Sequence, residues 1–304
     1  MERTHGFPCA PLLAAALAAL ATAACGSPGA AAPPAADAGS DAKVIPPPSA
    51  CNGHAELCDR RFNEVVYPAT HNAMSNFDEG WAAANQQHGM ARQLEDGIRA
   101  MLIDTHYWND DTYLCHSICQ LGSELLVDGL TKIRVFMDEH PHEVITLIIQ
   151  DGISPADTET AFVKSGLIGH VFVHEPGAEW PTLRAMIERG QRLVVTAEEA
   201  GPPPAWYHHV WDLTWDTPYS FASKEEFSCA ENRGKRGNDL FLLNHWIEDP
   251  LPTEQLATVA NEYAVLSARA QQCAQEGGQK PNFVAVNFYS IGALFQVVDE
   301  LNGL

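Results

Sequence analysis

The chain is expected to fold as one irregular (β/α)8 TIM barrel, an α/β fold, preceded by a signal peptide and a disordered linker. Three features lead there. Eight short runs rich in apolar and β-branched residues, at 65–69, 100–105, 112–115, 144–150, 171–174, 193–197, 240–244 and 283–288, alternate with longer stretches of helical periodicity. Several of these runs are apolar throughout instead of alternating, which marks strands buried on both faces. No glycine-rich phosphate loop follows any of them, which counts against the rival doubly wound open sheet.

Each helical stretch has its own signature. In 121–140, Leu125, Leu126, Leu130, Ile133, Phe136 and Met137 recur at helical spacing. The stretches 180–189 and 253–273 repeat the pattern. The segment 202–239 is rich in Trp, Pro and charge, and reads as a rim loop or lid.

The first residues are of a different kind. Arg3 precedes an Ala/Leu-rich stretch, 11–24, too short to span a bilayer, so 1–24 reads as a signal peptide. Its ending, L-A-T-A-A-C, resembles a bacterial lipobox with Cys25 as the lipidated residue, although Thr22 is not the preferred residue there. Residues 25–50 are a linker of Ala, Pro, Gly, Ser and Asp, too poor in apolar surface to order itself. The folded domain is therefore 51–304. The expected location is outside the cytoplasm: a bacterial cell-envelope lipoprotein, or else a secreted protein. A net charge of −21 argues against nucleic acid and against electrostatic adhesion to anionic lipid. Contact with a membrane is expected through the lipid anchor.

Six cysteines remain beyond Cys9 and Cys25. An even set in an exported chain suggests disulfides. Closeness in sequence favours Cys51–Cys58 and Cys115–Cys119, leaving Cys229–Cys273, but six cysteines permit many connectivities. A zinc site is the alternative, and the spacings lack paired C-x-x-C knuckles.

Chemistry is expected at the C-terminal ends of the strands, where a barrel opens its pocket. Those ends carry His71 and Asn72, Asp104 and His106, His116, Asp151, Glu198, Asn244 and His245, and Asn287. Two histidines, in Y-P-A-T-H-N-A-M-S and Y-L-C-H-S-I-C, stand where apolar runs stop. Two imidazoles across one pocket are the usual equipment for cleaving a phosphodiester, one removing a proton and the other returning one. Asn72, Asp104 and Asp151 offer hard oxygen ligands for Ca2+, or less well for Mg2+; alternatively the two aspartates only orient the histidines. His106 and Asp104 could steady a phosphate or leaving group. Arg99 could pair with a buried carboxylate or reach substrate. Trp206, Trp211, Trp215 and Tyr219 could wall a sugar-like headgroup or pack in the core. His140, His142 and His208–His209 carry no spacing that assigns them a role.

The segments T-H-N-A-M-S, Q-L-E-D-G-I-R-A-M-L-I-D-T-H and Y-L-C-H-S-I-C resemble the X-domain of phosphatidylinositol-specific phospholipases C. The run E-V-I-T-L-I-I-Q-D-G is similar to that superfamily's next strand. Closer still are PLC-like phosphodiesterases of plants, fungi and bacteria. They share E-W-P-T-L-R-A-M-I, R-L-V-V-T, W-D-T-P-Y-S-F, F-S-C-A-E-N-R-G and P-N-F-V-A-V-N-F-Y, so that the resemblance spans about 63–301. It implies an irregular TIM barrel, with His71 as general base, His116 as general acid and Asp104 beside them. His106, Arg99, Tyr219 and Asn287 are the expected substrate contacts. The implied substrate is a phospholipid or related phosphodiester, cleaved through a cyclic intermediate that water opens.

Two residues depart from the family pattern. Asp104 stands where metal-independent bacterial members keep arginine and calcium-dependent ones aspartate. Leu102, however, replaces an acidic residue that both usually carry, so metal-dependent and metal-independent mechanisms both remain open. Asn287 stands where some relatives have an aspartate positioned to orient the first histidine, here His71. These departures support an alternative: a barrel that binds an inositol, glycan or phospholipid headgroup with little or no turnover. Another phosphodiester, such as sphingomyelin, is a third possibility.

Overall fold

The computed structural model describes residues 47–304. The expected signal peptide, Cys25 and most of the linker lie outside the described residues. Eight parallel strands form the main path of a ten-stranded sheet: β1 (Tyr67–Thr70), β2 (Ala100–Trp108), β5 (Ile145–Gly152), β6 (Leu193–Ala197), β7 (Tyr207–His209), β8 (Thr214–Asp216), β9 (Leu240–Asn244) and β10 (Phe283–Val286). Their order is β7-β6-β5-β2-β1-β10-β9-β8. The edge strands β7 and β8 are joined by a single turn, α5 (Val210–Leu213), and no ladder pairs them, so hydrogen bonding does not close the expected ring.

Two expected barrel strands do not join this sheet as such. The run 112–115 gives β3 (Asp111–Leu114), which pairs the two-residue strand β4 (Glu124–Leu125) and is the antiparallel arm of a hairpin with β2. Its turn residues Asn109 and Asp110 both have positive φ, as a two-residue hairpin turn requires. The run 171–174 makes only an isolated bridge, Val171 to Leu193. Its apolar character serves packing, because Phe172 and His174 lie against Trp180. The two missing parallel strands, β7 and β8, come from the segment read as a rim loop. Each is three residues long, too short for a periodic signal.

Among the helices, α2 (Leu126–Glu139) buries Leu126, Leu130, Ile133, Phe136 and Met137. The stretch 180–189 gives α4 (Leu183–Glu188). The stretch 253–273 divides into α6 (Glu254–Ala260) and α7 (Tyr263–Gly277). The break falls at Asn261, whose side chain donates to the carbonyls of Asn287 and Ile291. Three further helices were not expected: α1 (Met90–Glu95), α3 (Pro155–Ser165) and α8 (Leu294–Asn302). The signals for α3 are local: Ser154 caps Asp157 N, Pro155 opens the first turn and Gly166 closes the helix with φ 77°. Among the described residues no helix is long and apolar enough to cross a membrane.

The period-2 alternation of strands builds two apolar layers. Tyr67, Ala69, Ala100, Leu102, Ile148, Val194, Leu240, Leu242, Phe283 and Ala285 meet inside the sheet's concave side. Their neighbours Met101, Ile103, Leu147, Ile149, Val195, Phe241, Leu243, Val284 and Val286 meet the helices instead. Continuing the inner set one pleat toward the C-terminal ends reaches His71, Asp104, Gln150, Glu198, Asp216, Asn244 and Asn287. The pleat that fills the core thus also assembles the site.

All three expected disulfides are present, Cys51–Cys58, Cys115–Cys119 and Cys229–Cys273, which removes the zinc alternative for these cysteines.

Candidate active site

A cleft of about 250 Å3 opens at those strand ends. His71 and His116 face each other in it, with ring centroids 6.5 Å apart and planes at 74°. Between them lies Asn72. The hydrogen-bond network orients its carboxamide with nitrogen 3.2 and 3.3 Å from the Asp104 carboxylate oxygens, and oxygen 3.2 Å from Nε2 of both histidines. Both Nε2 atoms therefore converge on one point. The backbone reaches this arrangement through left-handed residues: Asn72 (φ 48°), Ser117 (φ 58°) and Phe288 (φ 47°) directly follow His71, His116 and Asn287. Backbone strain of this kind is tolerated where the surroundings over-determine it, which functional sites do.

His71 is held on every side. Its ring stacks on Trp246 at 3.8 Å and 6°. Nδ1 donates to Oδ1 of Asn287 at 2.9 Å, and Nδ2 of Asn287 donates in turn to Glu248 at 3.0 Å. Asn85 donates to the same carboxylate at 3.1 Å. Burial pushes the His71 imidazole down to about 4, against the upward pull of Glu248 and the Asn287 hydrogen bond. With Nδ1 carrying the proton, the Nε2 lone pair faces the cleft at neutral pH. When Nε2 accepts a proton, the Asn72 oxygen is placed to receive it. Burial also holds His116 below the ordinary imidazole value.

The opposite wall is charged. Arg233 donates to Glu198 at 2.9 Å and to buried Asp216 at 2.6 and 3.0 Å. Its guanidinium lies over Trp211 and Tyr219, with centroids at 4.1 and 4.7 Å. Gly234 follows with φ 69°. A Cβ there would meet the Thr214 carbonyl oxygen at 2.0 Å, so only glycine lets this loop lie against β8. The loop is tied to α7 twice, by Cys229–Cys273 and by Arg269, which donates to Ser228 O at 3.0 Å.

Several expected placements need correction. Asp151 falls on the outer side of β5, where its carboxylate accepts from the amides of Glu199 and Ala200. Gln150 takes the cleft position, so Asp151 leaves the metal set. Arg99 sits at the opposite end of β2, bonded to Glu143 at 2.6 Å and to the carbonyls of Leu94 and Ile98. This is the buried-carboxylate alternative, and it removes Arg99 from the substrate contacts. Asn287 lies behind His71, where it orients the ring as expected of the relatives' aspartate, and is not a substrate contact on the cleft wall. His106 shares the inner face of β2 at the rim, near enough to His116 to oppose its protonation, but does not line the cleft. Tyr219 does line it. His245 points away, where Nε2 donates to Ala260 O at 2.7 Å. Trp206 and Trp215 are core residues.

Sequence reasoning missed Glu248, Arg233, Trp246, Asn85 and Gln150. For Arg233 a signal existed: R-G in F-S-C-A-E-N-R-G, beside a cysteine. Glu248 lies past a strand end in a long loop, and nothing local marks it.

Whether a divalent cation suits this cleft turns on Asp104. It is buried with no cationic partner among the described residues, and burial together with the Glu198 charge raises it to about 8. A carboxylate so placed, with Glu198 also lining the cleft, fits a hard cation, and the Asn72 oxygen would join it once the carboxamide turns from the orientation given above. Among the described residues no three His, Cys, Asp or Glu ligand atoms converge in the cleft. Substrate phosphate and water oxygens would have to complete the coordination.

The PI-PLC X family model matches residues 57–302. The chain belongs to the PI-PLC X-domain family. An uncharacterized secreted protein of Arthroderma benhamiae is 29% identical over 285 residues, covering 84% of this chain and 64% of that protein. A PI-PLC X domain-containing protein of Arabidopsis thaliana is 28% identical, covering 80% of this chain and 62% of that one. The match thus spans under two thirds of either relative. PI-PLC X domain-containing protein 1 of Homo sapiens is 24% identical, covering 72% of each chain. Among solved structures, a phosphatidylinositol-specific phospholipase C mutant from Staphylococcus aureus superposes with a TM-score of 0.54 at 10% identity, covering 80% of this chain and 94% of that one. At that identity the likeness concerns the fold.

Proposed function

We propose that this X domain is a phosphoric diester hydrolase or lyase of the phosphatidylinositol-specific phospholipase C type. The observation that carries the reading is the convergence of His71 Nε2 and His116 Nε2 on one atom, each at 3.2 Å. His71, neutral at working pH, accepts the proton of the attacking hydroxyl as its oxygen bonds to phosphorus. The bond from phosphorus to the leaving oxygen breaks, and His116 gives that oxygen its proton. Asn72 then accepts from the newly protonated His71. The Asn287–Glu248 pair holds the ring and offsets its positive charge. When a hydroxyl on the headgroup attacks, the product is cyclic. Water opens it with the two histidines in exchanged roles.

Asp104, joined by Asn72 with its carboxamide turned so that oxygen faces the carboxylate, would hold a divalent cation, Ca2+ better than Mg2+, and its charge would offset that of the phosphate oxygens. Chelation by EDTA is expected to lower turnover at least tenfold, with Ca2+ restoring it. Asp104→Asn should abolish the response to added Ca2+. Full activity in EDTA would place the reaction in the metal-independent class.

The histidine environments set the pH dependence. The base must be deprotonated, so kcat/KM rises as pH passes about 4, the His71 value. The acid must be protonated, so kcat/KM falls again as pH passes the His116 value, which lies below 6.5. The expected profile is a bell with its optimum between these limits, its apparent values belonging to the pair. A profile still rising at pH 8 would overturn this pairing of roles.

Leu102 beside Asp104, and an amide at position 287, favour a second reading: a barrel that binds the headgroup and turns it over poorly. Release of labelled headgroup from phosphatidylinositol, sphingomyelin and glycerophosphodiesters, with and without EDTA, separates the two. Cleavage supports the enzyme. Saturable binding without release supports the module. The three disulfides and the secreted relative from Arthroderma support export, and lipidation of Cys25 is the proposed tether to a membrane surface.

A further inference from the structure

A second cavity, of about 230 Å3, adjoins the cleft and shares His116 and Glu248 with it. Its character is different. Trp81, Ile118, Leu121, Pro250, Leu251 and Pro252 line it. Ile118, Leu121 and Leu251 are 54%, 48% and 53% exposed, so three large apolar side chains meet water around one groove. The walls are fixed by the fold. Ile118 stands in the loop closed by Cys115–Cys119, two residues beyond His116. Ala82 N bonds Leu121 O at 2.7 Å. The Trp81 indole lies over Gly122, where a Cβ would come within 2.4 Å of the ring, so only glycine leaves room for it.

We infer that this groove receives an apolar chain carried on the leaving alcohol, which makes the chain length of the leaving group a determinant of specificity. The inference rests on the acid role proposed for His116. The atom that takes the His116 proton is the leaving oxygen, so its substituent extends from the cleft on the His116 side, where the groove begins. The charged wall of Arg233 and Glu198 lies in the cleft proper, outside the groove. The site therefore has a polar part for the headgroup and an apolar part for the leaving group. The groove shares His116 and Glu248 with the cleft, and this adjacency to the proposed acid favours a piece of the reacting molecule over a separate partner.

The test uses soluble phosphodiesters with one inositol headgroup and leaving alcohols from methyl to octyl, below their micelle-forming concentrations. Burying a methylene fully is worth about a fourfold gain, and a groove open on one side should give roughly twofold per methylene. Wild-type kcat/KM is expected to rise at that rate along the series. In the Ile118→Ser/Leu251→Ser variant the octyl-to-methyl ratio should fall from about a hundredfold to within a few fold. The same proteins are titrated with octyl phosphate and methyl phosphate by tryptophan fluorescence, which needs no turnover. Preferential octyl binding that the variant loses, in a protein that cleaves nothing, would keep the groove and remove the enzymatic reading. Cleavage without chain-length dependence, or a dependence the variant retains, would remove the groove and keep the enzyme. Loss of binding to neutral phosphatidylcholine vesicles with the chain-length series unchanged would mark the patch as a membrane contact and overturn the inference.

Discussion

Replacing His71 by alanine is expected to lower kcat/KM for phosphodiester cleavage by about three orders of magnitude, with an unchanged far-UV circular dichroism spectrum. The size follows from the contribution of one positioned acid–base group, about 10²–10⁴-fold. The upper part of that range applies because little else in the cleft can replace it. His116 is committed to the other proton, and the Glu248 carboxylate meets the ring on its Nδ1 side, 3.7 Å away, not at Nε2. The fold should survive, because the His71 side chain is 17% exposed and lies above the apolar layers. Glu248→Gln probes the same ring more gently. It removes the carboxylate 3.7 Å from Nδ1 that pulls the imidazole upward, so the acid limb of the pH profile should move lower.

The second large effect is on stability. Removing the Cys229–Cys273 disulfide in a double serine variant is expected to cost about 4 kcal/mol, the chain-entropy value for a loop of 44 residues. The other two bridges close loops of 7 and 4 residues, and the same relation gives each about 2 kcal/mol. For a domain of this size the larger loss corresponds to a fall in Tm of about 10 °C, read by thermal unfolding. Activity should fall as well, because this bridge and Arg269 together pin the loop that brings Arg233 to Glu198 and Asp216. An unchanged Tm would mean that the Arg269 contacts alone constrain the loop.

The positions of the strong strands were legible because they are buried on both faces and read as unbroken apolar runs. The same property hid the phase of the pleat. In β5, Ile148 and Ile149 are both buried, so nothing in the sequence says which side the next residue faces. Hence Asp151 was expected in the cleft where Gln150 stands. Strands β7 and β8 were illegible for another reason: three residues do not make a period, and Trp, Pro and charge around them resemble a loop. His71, His116 and Asp104 could be found because each follows or ends a strong run. Glu248 and Arg233 could not, since their place depends on a carboxylate relay and a disulfide-tied loop that bring distant segments together. For Arg99 the chain order was informative: it precedes the run 100–105, at the N-terminal end of β2 and away from the cleft, where it pairs with Glu143.

The division of labour between the two imidazoles is tested most directly by changing the leaving group. With a p-nitrophenyl leaving group, departure needs no proton. His116→Ala should then retain activity within about tenfold of wild type, while losing about a thousandfold on an alkyl leaving group. His71→Ala should lose about a thousandfold on both. Equal losses for His116→Ala on the two substrates, or undiminished turnover in either variant, would contradict the assignment of base and acid.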